Sequence, residues 1–159
     1  MSTRRGLLAG LAGAVAMASL ATCGGGGDTT PPDQFQAEAN QVCKDAQQQF
    51  DRILRANPRT ADQAEKQAAA LADVSQQALD NLRQIDPPSE VQDTYNRYLD
   101  SREAAIGYIN DAKDAAADHD GTAYAQAKRK TATTQPQRRK LALASGLKSC
   151  SVPSVSLGK

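Results

Sequence analysis

The chain has 159 residues with 19 Lys and Arg against 18 Asp and Glu, so a net charge of +1 singles out no strongly charged partner. Aromatic residues make up 4% and Trp is absent, which leaves alanine as the main apolar residue. Helices built from it can approach closely while each contact buries little area, so the composition supports one modest domain and disfavours a roomy ligand cavity.

The first segment is charged and then apolar. Arg4 and Arg5 precede an uncharged run over residues 7–21, which closes on Leu20-Ala21-Thr22-Cys23 and is followed by Gly24-Gly25-Gly26-Gly27. The run is too short to cross a bilayer comfortably and has the form of an export signal. Its end resembles the lipobox of bacterial lipoproteins. That resemblance implies removal of residues 1–22 as a signal peptide and attachment of lipid to the thiol and amine of Cys23. With two or more acyl chains, each buried methylene contributing about 0.8 kcal/mol, such an anchor is permanent. It implies a protein held at the extracytoplasmic face of the bacterial cell membrane, with the membrane as its first partner. Thr3-Arg4-Arg5-Gly6-Leu7-Leu8 also resembles a twin-arginine export signal, so two export routes stand open. Residues 23–32 are expected to form a lipidated, flexible Gly/Pro leash ending in Pro31-Pro32.

From residue 33 to 150 the periodicity predicts four helices. Asp33 with Gln36, Thr60 with Gln63 and Ser89 with Gln92 each have capping-box spacing and mark three helix starts. The first helix is expected over residues 34–56, with Phe35, Ala39, Val42, Ala46, Phe50 and Ile53 on one face; Asn57-Pro58 ends it. The second, residues 61–85, carries Ala64, Ala68, Leu71, Ser75, Ala78, Leu82 and Ile85 and stops at Asp86-Pro87-Pro88. In the third, residues 90–118, Val91, Tyr95, Tyr98, Arg102, Ala105, Ile109 and Ala112 form a stripe that Leu99 and Ile106 widen. Gly121 follows. The fourth, residues 122–148, has Tyr124, Ala127, Thr131, Leu141, Leu143 and Leu147 as its apolar or semi-apolar positions, with a kink or break expected near Thr133 because Pro136 removes a backbone donor. Short connections between long helices argue for an all-α, up-down-up-down antiparallel four-helix bundle in one domain, with residues 151–159 as a disordered tail.

With Cys23 assigned to lipid, Cys43 on the first helix and Cys150 beyond the fourth remain. Antiparallel order brings them to one end of the bundle, and in an oxidising compartment a Cys43–Cys150 disulfide is expected. Neither lies in a Cys-x-x-Cys arrangement that would favour a reactive pair.

The charges are segregated. Residues 33–120 hold 17 acids and 9 Lys and Arg, a net of −8, while residues 121–159 hold 8 Lys and Arg and no acid. Lys128, Arg129, Lys130, Arg138, Arg139 and Lys140 supply most of the basic charge. They are candidates either for pairing with the acidic helices or for binding anionic lipid headgroups or cell-wall polymers. Nucleic acid is not an expected partner, since no basic run is interleaved with aromatics.

Catalytic constellations are missing from the pattern. His119 is the only histidine, and no Gly-rich phosphate loop or His-Glu-x-x-His motif occurs. Asp118-His119-Asp120-Gly121 is expected to be a turn that caps two helices, and a metal there lacks a later carboxylate. No cofactor or metal is expected. Arg102, at a core position, calls either for a buried partner or for a head that reaches back to water.

Ala39-Asn40-Gln41-Val42-Cys43, the Pro-Pro break before the third helix and the stretch from Leu143 to Cys150 resemble small, mostly uncharacterised helical lipoproteins of high-GC Gram-positive bacteria. The resemblance implies no reaction. The expected function is a non-enzymatic, monomeric surface binding or scaffold module, with a small-ligand or metal carrier as the alternative. A cavity lined by Tyr95, Tyr98 or Tyr124, with Arg102 pointing in, would favour the carrier.

Overall fold

The computed structural model describes residues 30–152. The expected signal peptide, Cys23, the glycine run and most of the expected tail lie outside the described residues. Four helices follow one another: α1 (Pro32–Leu54), α2 (Ala61–Arg83), α3 (Gln92–Ala117) and α4 (Gly121–Ala144). A 3-10 turn, Ser149–Ser151, closes the described chain. There are no strands among the described residues, and the fold is a single all-α domain. Each helix packs on its neighbour in the chain, while the Ser149–Ser151 turn touches both α1 and α4, contacts consistent with a bundle.

Helix ends are set by local chemistry that departs in places from the expected boxes. α1 has no side-chain cap; Pro31 stands before it and Pro32 occupies the first turn, where a missing N–H is no loss, so Asp33 is already inside the helix. Thr60 does cap α2, its hydroxyl accepting from the Gln63 amide at 3.2 Å, and the Gln63 side chain reaches back to the Arg59 amide at 2.8 Å. Ser89 does not cap α3. It lies in a turn over Pro88–Val91, and the helix begins two residues later than its spacing suggested.

The α3–α4 connection is short because His119 adopts φ 56°. The His119 amide bonds to Ala116 O and the Asp120 amide to Ala115 O, the double closure that ends a helix on a left-handed residue. Asp120 then caps α4, one carboxylate oxygen accepting from the Thr122 and Ala123 amides at 2.9 Å each. The same closure recurs at Gly146, φ 77°, so α4 ends at Ala144 and not near Lys148. α4 runs through Pro136 as one helix, with no break at Thr133. The hydroxyls of Thr133 and Thr134 bond the carbonyls of Lys130 and Thr131 just before it. Gly146→Ala is expected to lower stability by about 1 to 2 kcal/mol, read as a shifted denaturation midpoint, since a Cβ there meets both positive φ and the Gln36 side chain.

The core has two centres. At one end Phe35, Ala39, Cys43, Leu79, Leu82, Tyr95, Tyr98, Leu99, Ile106, Leu141, Ala142 and Leu147 pack together. At the other, Ala46, Phe50, Leu71, Ala72, Ala78 and Ile109 do. Every position expected on the α3 stripe from Tyr95 to Ala112 is buried, whereas Val42 and Ile53 of α1 are half-buried and Leu143 of α4 is 49% exposed. The Cys43–Cys150 disulfide is formed, with S–S 2.03 Å and a sequence separation of 107.

Candidate functional site

The middle of α3 brings the polar chemistry inside. Tyr98 is fully buried and Arg102, one turn later, is 9% exposed. Arg102 Nη1 donates to Tyr98 Oη at 2.9 Å and lies 3.8 Å from Cys43 Sγ; the Tyr98 hydroxyl is also 3.8 Å from that sulfur. The guanidinium therefore sets its Nη1 against the disulfide and the Tyr98 hydroxyl, within a residue that is 9% exposed. Tyr95 faces the other way, packing edge-on against Phe35 at 5.0 Å and donating its hydroxyl proton to Leu82 O at 2.7 Å. Burial, with Tyr98 beside it, pushes the Tyr95 phenol well above its ordinary value, so it stays protonated.

A second arginine joins the first. Arg138 is 8% exposed, and its Nη1 is buried with no hydrogen-bond partner among the described residues. Burial, and then the charge of Arg102, push the Arg138 guanidinium below its ordinary value, against a smaller opposing effect of Tyr98. Both arginines border one cavity of about 20 Å³ with Ser75, Ala105, Ile106, Ile109 and Thr131. It has room for one water-sized occupant and none for an organic ligand. The tyrosines do not line it.

Arg138 thus leaves the basic surface expected of α4. Arg129, Lys130, Arg139 and Lys140 are exposed and Lys128 is half-buried. Lys130 reaches Asp111 of α3 at 4.0 Å and lies over the Tyr108 ring, and Lys128 lies over the ring of Tyr124. Arg129, Arg139 and Lys140 form no ion pair among the described residues. Arg139 and Lys140 flank a shallow surface groove with Gln135, Pro136 and Leu143.

His119 and Asp62 approach to 4.0 Å with both side chains largely exposed. No group of three or more His, Cys, Asp or Glu that could hold a metal occurs among the described residues. None of the described helices is long and apolar enough to cross a membrane. The sequence signal that marks Arg138 as interior is its spacing, seven residues after Thr131 and three before Leu141, which places all three on one helix face. No family description matches this chain, and no curated protein or solved structure matches it either.

Proposed function

We propose that this protein is a lipid-anchored extracytoplasmic binding module, monomeric and non-enzymatic. Cys23 ties it to the membrane, its helices alternate in direction, and the outer face of α4 meets the anionic phosphates of lipid headgroups or wall polymers. The observation that carries the reading is the exposed, unpaired pair Arg139 and Lys140 beside an apolar surface groove, on a segment without acids. A basic residue near an anionic surface is worth about 1 kcal/mol, and exposed Leu143 adds apolar contact. The carrier reading finds little support, because the cavity at Arg102 holds only about 20 Å³.

The test uses unlipidated protein (Cys23→Ser) with vesicles of phosphatidylglycerol or of phosphatidylcholine. Replacing Arg139 and Lys140 together by Gln is expected to weaken partitioning onto the anionic vesicles about thirtyfold at low salt, from about 2 kcal/mol lost, with the melting temperature unchanged. Equal partitioning of both proteins, or equal binding to neutral vesicles, would discard the α4 face as the contact surface.

A further inference from the structure

We infer that the bundle interior is a binding site for one small monovalent anion, halide-sized, held between Arg102 and Arg138. This goes beyond the surface reading and does not depend on it.

The argument begins with charge. Both arginine residues are more than nine-tenths buried and border the same cavity. Arginine does not give up its proton in a protein, so both charges persist. Every Asp and Glu among the described residues is exposed or half-exposed, and none forms an ion pair with either arginine. Two buried like charges without a counter-charge are strongly unfavourable, and a neutral acceptor does not correct that.

The neutral acceptors at hand do not serve Arg138 Nη1, which has no hydrogen-bond partner among the described residues. Arg102 uses the Tyr98 oxygen. The Ser75 and Thr131 hydroxyls donate to carbonyls of their own helices, Leu71 O at 2.7 Å and Ala127 O at 3.1 Å. What remains is an orphaned donor, Nη1 of Arg138, a residue that lines a cavity of about 20 Å³. A water there would satisfy the donor and leave both charges uncompensated. An anion does both. The volume selects its size: a single-atom ion fits where a tetrahedral oxyanion or an organic acid does not. Ala105, Ile106 and Ile109 form the apolar wall, which suits a weakly hydrated halide and strengthens its attraction to the arginines.

The experiment is thermal unfolding of the full chain in sodium chloride, bromide or gluconate at matched ionic strength, with crystals grown in bromide as the second measurement. Chloride and bromide are expected to raise the melting temperature saturably, by roughly 10 °C at a hundredfold excess over the dissociation constant, and gluconate, too large to enter, is not. Arg138→Met should lose that dependence and melt above the wild-type chain in gluconate. Melting that is the same in chloride and gluconate would overturn the proposal. Should Arg138→Met fail to fold, the bromide crystals decide: an anomalous peak between Arg102 and Arg138 supports the site, and peaks confined to exposed lysines and arginines overturn it.

Discussion

Opening the Cys43–Cys150 bond, by reduction or by Cys150→Ser, is expected to lower stability by about 4 to 5 kcal/mol, some 15 to 20 °C in melting temperature. The size follows from the sequence separation of 107, since a cross-link over so long a loop removes much of the freedom of the unfolded chain. The fold gives the bond a second role. The backbone of α1 runs close to α2 and to the Ser149–Ser151 turn, so the C-terminal segment adds a backbone tie to the core that Phe35, Ala39 and Cys43 share with Leu141 and Ala142. Around it the Ser149 amide bonds Asn40 Oδ1 at 2.7 Å and Leu147 is fully buried. Thermal melts with and without reductant check the prediction. A reduced protein that melts with the oxidised one would show that packing alone closes the bundle.

Tyr98→Ala is expected to lower stability by about 4 kcal/mol, and Tyr98→Phe by about 1 to 2 kcal/mol. The ring is fully buried and lies 6.3 Å from Tyr95, so truncation leaves a cavity in an alanine-rich core with few large side chains to fill it. The hydroxyl alone accepts from Arg102 beside Cys43 Sγ, and removing it leaves a buried charge with one fewer partner. Urea midpoints of the two variants separate ring from hydroxyl. Equal losses would mean that the hydroxyl, not the ring, carries the effect.

The stripes of α2 and α3 were legible because apolar and aromatic side chains recur at helical spacing, and burial follows that spacing from Ala68 to Leu82 and from Tyr95 to Ala112. Ends were less legible, for reasons that act over a few residues. Pro31-Pro32 replaces a side-chain cap, and a histidine stands where a left-handed residue is more often glycine. The disulfide was expected from the export and helix order proposed for the chain, and the structure forms it. Arg138 was misplaced because it stands beside Arg139 and Lys140 in sequence, a grouping by adjacency where the helix turns 100° per residue and sends neighbours to different faces. The helical spacing from Thr131 to Leu141 contained the correct answer. The buried Arg102 was legible as a core position, but its partner was not, since Tyr98 and Cys43 meet it through one turn of its own helix and a long-range contact.

The proposed lipid anchor is tested most directly by the intact mass of the protein extracted with detergent from the cells that make it, with its N-terminal peptide sequenced. The expected result is a chain that begins at Cys23, carries diacyl or triacyl mass on that residue, and is two hydrogens lighter than the reduced form through Cys43 and Cys150. A chain that keeps residues 1–22, or that bears an unmodified Cys23, would contradict it.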